Sequence, residues 1–186
     1  MKKFIIPIVI IIIILAIVGS FVGIYNNMVA ADQEVEKYAS NIDTELQRRN
    51  DLIPNLIATV KGYAKHEESI FTAISDARAQ MMSASNMAES ATADAAMSSA
   101  LSRLLAIVEN YPDLKANQSF IDLQTQLEGT ENRIKVARNN YNDSVQNFNT
   151  MVKKFPYNIL AGMFGFEAKD FFQAVEGSEN VPQVNF

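Results

Sequence analysis

An all-α chain is predicted: a single N-terminal transmembrane helix, then an antiparallel four-helix bundle, then a short aromatic-rich C-terminal segment. Three observations predict it. The stretch Phe4 to Ile24, FIIPIVIIIIILAIVGSFVGI, holds no charged residue. Phe120, Leu127, Ile134, Tyr141, Phe148 and Phe155 recur every seven residues. The 186 residues include 7 Gly and 5 Pro, while Ala, Gln, Asn, Glu and Lys are abundant, a composition that favours helix over sheet. The layout expected is residues 1–24 as tail and anchor, 25–155 as bundle, and 156–186 as Phe-rich segment and tail.

The anchor comes first. As a helix, Phe4 to Ile24 is roughly 31 Å long, matching the hydrocarbon thickness of a bilayer. Sixteen of these 21 residues are Ile, Val, Leu or Phe, each favouring insertion by about 0.3–0.6 kcal/mol. Pro7 lies in the first turns, where a missing donor costs little. A cleaved signal peptide is the rival reading, with Val29-Ala30-Ala31 as a loose cleavage site. The run is longer than the usual signal core, so an uncleaved anchor is expected. Lipoprotein processing is excluded, because the chain has no Cys to lipidate. Lys2 and Lys3 precede the span, whereas Asp32, Glu34 and Glu36 follow it. The positive-inside rule then puts the N-terminus in the cytoplasm and the bundle outside, on a single-pass protein of the bacterial inner membrane.

Beyond the anchor, roughly 160 residues remain, one domain's worth. Acidic residues outnumber basic ones by 21 to 16, leaving no electrostatic footprint for nucleic acid. With no Cys and a single His, disulfide, thiolate and common zinc chemistry lack their ligands.

Val29, Val35, Tyr38, Ile42 and Leu46 recur at helical spacing, so the first helix is expected to leave the membrane without a joint. It is predicted to end near Arg48-Arg49-Asn50. Asp51 then caps a second helix with Pro54 in its first turn; the alternative is one long helix kinked at Pro54. The second helix is expected from Leu52 to about Ser83, with Ile53, Leu56, Val60, Tyr63, Glu67, Ile70, Ile74, Ala77 and Met81 on one face and Gly62 inside it. A small-residue stretch, SASNMAESATADAAMSSA, predicts a mobile connection around residues 84–92. A third helix carries Met97, Leu101, Leu104, Val108 and Tyr111 and stops at Pro112. The fourth starts at the capping-box pattern Ser119-Phe120-Ile121-Asp122. Leu123, Thr130, Ala137, Ser144 and Met151 form a small-residue row beside its bulky seam, and the two rows predict a packing seam of about 55 Å. An even number of helices returns the chain to its starting side. The tail YNILAGMFGFEAKDFFQAVEG therefore falls near the bilayer, either packed across the bundle end or dipped into the lipid interface. Glu167, Asp170 and Glu176 against Lys169 favour packing.

Several blocks resemble the LemA family. They are Gln47 to Glu67 (QRRNDLIPNLIATVKGYAKHE), Glu109 to Asp143 (ENYPDLKANQSFIDLQTQLEGTENRIKVARNNYND) and Phe155-Pro156, together with the anchor and Tyr25-Asn26. The resemblance implies a membrane anchor and a helical, four-helix-type domain, and brings no catalytic residue. It also implies a short N-terminus outside the cell and the bulk inside, opposite to the charge argument from Lys2 and Lys3.

No catalytic, cofactor-binding or metal-ligating residue is predicted, and no cofactor. His66-Glu67-Glu68-Ser69-Ile70 begins like a helical zinc motif, but Ile70 stands where the second His belongs. His66 reads as a solvated rim residue. Arg48, Arg49, Arg78, Arg103, Arg133 and Arg138 alternate with Glu109, Glu128 and Glu131. They read either as solvated rim pairs or, more sharply, as a partly buried pair between Glu131 and one arginine that fixes helix register. Asn132, Asn139, Asn140, Asn142, Asn147 and Asn149 form a polar face, and Met81, Met82, Met87 and Met97 read as gap-filling core.

The function expected is a membrane-anchored, non-enzymatic helical scaffold of the cell envelope. Its expected partners are the bilayer through residues 4–24, envelope or membrane proteins, and a second copy of the chain. An oligomeric membrane-shaping protein is the alternative; a hydrolase using Glu109 or Glu131 is a third reading.

Overall fold

The computed structural model describes residues 2–173, with side chains from Pro7 onward. Glu176 and the rest of the predicted tail lie outside the described residues. All regular structure among the described residues is helical: α1 (Lys2–Lys61), α2 (Glu68–Ser83), α3 (Met87–Val108), α4 (Pro112–Lys115), α5 (Gln118–Lys153) and α6 (Tyr157–Phe164). The chain divides into two compact units. One joins residues up to Tyr38 with Asn142–Lys169; the other joins Ala39–Tyr141 with the residues from Asp170.

α1 runs unbroken through 60 residues, about 90 Å, and so carries the apolar stretch and the start of the core on one helix. From Ile8 to Val22 its large apolar side chains are exposed, the pattern of a helix built for lipid. α3 is also long and apolar enough to cross a membrane, but Ala93, Met97, Ala100, Leu104 and Val108 on it are buried in the protein.

The expected break at Asp51 is absent. Ile42, Leu46, Arg49, Ile53, Leu56 and Val60 are all buried on α1, a stripe that steps by threes and fours across Pro54. Proline in a helix interior costs about 3 kcal/mol. Ile53 and Leu56, flanking it, each contribute about 1.5–3 kcal/mol of burial, and only a continuous helix keeps both in register. The real break is at Gly62, which had been expected inside a helix. There the chain turns through Tyr63 to Glu67 into α2.

In the second unit, a core is assembled from α1 (Ile53, Leu56, Val60), α2 (Ile70, Phe71, Ile74, Ala77), α3 (Met97, Ala100, Leu104, Val108) and α5 (Phe120, Leu123), with Leu114 of α4. The predicted mobile connection is mostly helix. Asn86 caps α3 by accepting from the Glu89 N–H at 2.9 Å, and the alanines that follow are strong helix formers. Their small side chains, with Ser90, Ala91 and Ala93 buried, let α3 pack closely on α2. Low complexity was close packing, not mobility. Pro112 does more than stop α3: it opens α4 as its first residue.

α5 also starts earlier than the capping-box pattern. Asn117, not Ser119, is the cap, its Oδ1 accepting from the Phe120 N–H at 3.1 Å. Along α5 both predicted rows are buried from Phe120 through Phe148, apart from a half-buried Leu127. The last member of the bulky row departs: Phe155 lies past the helix end and is 74% exposed. Pro156 explains this, because the residue before proline is driven out of helical geometry.

In the first unit, Met28 and Val35 of α1, Val145, Phe148 and Val152 of α5, and Leu160 and Ala161 of α6 are buried. The tail packs against Tyr25, the residue that follows the apolar stretch. The Phe164 ring centroid lies 4.8 Å and that of Phe166 6.0 Å from that of Tyr25.

Candidate functional site

The second unit buries a charge cluster in its helical core. Arg49 occupies the α1 stripe seven residues after Ile42 and seven before Leu56, both buried, so its side chain enters the core because its position requires it. Its guanidinium donates to Asp94 Oδ1 at 2.7 Å and Ser98 Oγ at 3.1 Å, both on α3 and one helical turn apart. The other terminal nitrogen reaches the Glu131 carboxylate of α5. Arg138, two turns further along α5, approaches the second Asp94 oxygen at 3.5 Å. One cation thus ties α1, α3 and α5 together.

Burial sets the electrostatics. The side chains of Arg49 and Asp94 are 1% and 3% exposed, whereas that of Glu131 is 53% exposed. Burial raises the Asp94 carboxyl above the ordinary aspartate range, opposed by Arg49 and then Arg138. Burial likewise lowers Arg49, with Asp94 opposing and Arg138 adding to the shift. A guanidinium nonetheless keeps its charge, so the pair holds only because each member is the other's counter-ion. Arg49 Nε is buried without a hydrogen-bond partner, one cost of this placement.

Beside the cluster lies a cleft of about 270 Å³. Leu56, Leu101, Leu104, Leu105, Phe120 and Leu127 give it apolar walls. Arg49, Ser98, Glu128 and Glu131 contribute polar atoms to its lining. Leu105 is 41% exposed, so the cleft reaches the surface.

Of the two arginine readings, the structure shows the contact named in the sharper one: Glu131 meets one arginine, Arg49, with the arginine buried and the glutamate half exposed. Arg138 joins the cluster through Asp94, whereas Arg133 pairs with Glu45 at 3.0 Å at the rim, and exposed Lys115 and Glu109 pair with each other at 2.5 Å. Asp94 was missed. It lies in the small-residue stretch that was expected to be mobile, and the Asp94/Ser98 spacing opposite an arginine on a core position is the signal that was available. His66 is exposed in the turn before α2, and among the described residues no group of His, Cys, Asp or Glu is arranged to hold a metal. Met97 is fully buried, but Met82 is 68% exposed and is not core.

The first unit holds its own polar knot. Asn149, one of the amides expected on the polar face, clamps the tail. Its side chain accepts from the Lys169 N–H and donates to the Lys169 carbonyl, both at 2.8 Å. Lys169 Nζ bridges Asp32 at 2.8 Å and Glu36 at 2.7 Å on α1. Burial lowers its pKa, but the bonds and charges of Asp32 and Glu36 outweigh that and raise it above the ordinary lysine value. In the second unit, Tyr141 donates to the Asp170 carbonyl at 2.9 Å, and Arg138 lies 4.7 Å from the centroid of the buried Phe172 ring. The packed reading of the tail thus holds for Phe166 and Phe172.

An apolar N-terminal helix of membrane-spanning length, followed by a helical core locked by a buried ion cluster, defines a membrane-associated helical protein. The chain belongs to the LemA family, whose model matches residues 38–186. It is similar to Magnetosome protein MamQ 2 of Paramagnetospirillum magneticum, 27% identical over 186 residues, covering 86% of this chain and 68% of the relative. Magnetosome protein MamQ of Magnetospirillum gryphiswaldense is 28% identical over 174 residues, covering 80% of this chain and 64% of that protein. Protein LemA of Metamycoplasma hominis is 24% identical over 160 residues, covering 84% and 72%. These relatives are named for the magnetosome or for the family, none for a reaction.

Proposed function

We propose that this protein is a non-enzymatic scaffold of the bacterial cell envelope, an antiparallel four-helix bundle held at the inner membrane by residues 4–24 and acting through protein–protein association. On this reading the domain layout is 1–24, 25–155 and 156–186. The N-terminus is cytoplasmic and the bundle lies on the opposite side. The observation that carries the proposal is Arg49. This fully buried cation of the core is committed to Asp94, Ser98 and Glu131, side chains from two further helices, which suits a device for holding helices in register. The apolar cleft with Leu105 at its surface suits an anchoring side chain of a partner protein.

The names of the magnetosome relatives favour a second reading, an oligomer that shapes membrane. Sizing the detergent-solubilised chain and imaging it with liposomes separates the two. A small particle that co-purifies stoichiometrically with one membrane protein supports the scaffold. Large regular assemblies with deformed liposomes support shaping. Protease treatment of intact and permeabilised cells tests the orientation: cleavage of the bundle only after the inner membrane is opened would reverse it.

A further inference from the structure

We propose that α6, with Phe155 before it, is a second membrane attachment that lies in the lipid interface beside the transmembrane helix. The inference rests on reading Phe4 to Ile24 as a membrane span. α6 carries no charged residue, and its sequence, YNILAGMF, presents Ile159 (49% exposed), Met163 (70%) and Phe164 (55%) to the surroundings. Phe155, 74% exposed, precedes it. Ile159 and Met163 follow one another at the four-residue spacing of a helix face, while Leu160 and Ala161 are buried. At eight residues, about 12 Å, the helix is too short to cross a bilayer and long enough to lie along its surface.

The span itself sets the depth. Phe164 packs on Tyr25, the first residue after Ile24, with ring centroids 4.8 Å apart in one compact unit. Tyrosine at the end of a span marks the level of the lipid headgroups. An exposed apolar face in contact with that tyrosine is therefore at the height where headgroups give way to acyl chains.

The local charge is compatible with this placement. Residues 153–169 contain Lys153, Lys154 and Lys169 against Glu167 alone. Lys153 and Lys154 are exposed just before Phe155, placed to meet lipid phosphates. Of the three acids that follow the span on α1, Asp32 and Glu36 are bridged by Lys169, which leaves Glu34 exposed.

The chain has no Trp, so single-tryptophan variants report one site each. The full-length protein is reconstituted in phosphatidylglycerol-containing liposomes as Met163→Trp, Ile12→Trp and Glu34→Trp. Met163→Trp is expected to emit blue-shifted, to be quenched by lipids brominated near the headgroup, and to resist acrylamide. Ile12→Trp should respond to lipids brominated deep in the acyl chains. Glu34→Trp, about 15 Å past Ile24 along α1, should respond to acrylamide only. Phe155→Trp repeats the test at an exposed site off the helix. Acrylamide quenching of Met163→Trp with no effect of brominated lipid overturns the proposal. Shielding from both quenchers also overturns it, and assigns the face to a second copy or another protein. Failure of Ile12→Trp to report lipid removes the span reading and the proposal with it.

Discussion

Arg49 and Asp94 meet at 2.7 Å with almost no solvent on either side chain, and the pair joins α1 to α3 inside the helical core. Burying an ion pair is a weak source of net stability, because desolvation offsets attraction. Its strength lies in what happens when one member is removed. Asp94→Ala should therefore destabilise the protein by about 3–5 kcal/mol. Replacing both by apolar residues, Arg49→Met with Asp94→Leu, should recover most of that loss. Chemical denaturation of the detergent-solubilised chain measures both. A single variant no worse than the double would show that the pair is not what the core depends on.

Glu131 offers a contrast within the same cluster. Its side chain is half exposed, and Arg49 retains Asp94 when Glu131 is lost. Glu131→Ala should cost about 1 kcal/mol, within the range of exposed pairs and well below the loss from Asp94→Ala. Equal losses would mean that Glu131, not Asp94, is the main counter-ion.

Pro54 is exposed in the middle of α1, where it withholds a donor from the carbonyl of Asn50. Pro54→Ala should raise stability, by as much as about 3 kcal/mol, and leave the helical circular dichroism intact or slightly stronger. A lower unfolding midpoint would indicate that proline shapes the helix in a way the core requires.

The start of α3 carries a pH dependence. Hydrogen bonds from the Ser85 backbone N–H, then from the Ser85 hydroxyl, with Asn86 adding, lower the Glu89 carboxyl below its ordinary 4.5. Between that lowered value and 4.5 the unfolded chain takes up a proton that the folded chain refuses. This contribution is thus complete above pH 4.5 and is lost as pH falls through the folded value. Glu89→Gln should lower the melting midpoint modestly at pH 7 and leave it unchanged at low pH. A deficit of equal size at both would show that charge has no part in the cap.

The periodicity of α5 and the charge-free run of α1 were legible because each is a local pattern repeated many times. Seven-residue spacing from Phe120 to Phe148 and an apolar run of bilayer length leave little room for another reading. Pro54 and Gly62 were misassigned for the converse reason. Each is a single residue whose local preference was weighed without knowing that Ile53 and Leu56 would both be buried. The small-residue stretch failed similarly, since alanine's value in close packing depends on what packs against it. Asn149 looked like one amide of a solvated face, and its clamp on Lys169 reaches a residue 20 positions further along the chain.

By itself, the sequence determined that the chain is helical, that residues 4–24 suit a membrane, and which rows of α5 would be buried. These follow from residue type and spacing along one element. Only the tertiary structure decided that Arg49 would sit in the core, that Asp94 would be its counter-ion, and that Phe166 would be packed while Met163 was left exposed. Those outcomes depend on which side chains from distant parts of the chain arrive at the same place. A buried charge is tolerated only where such a partner does arrive.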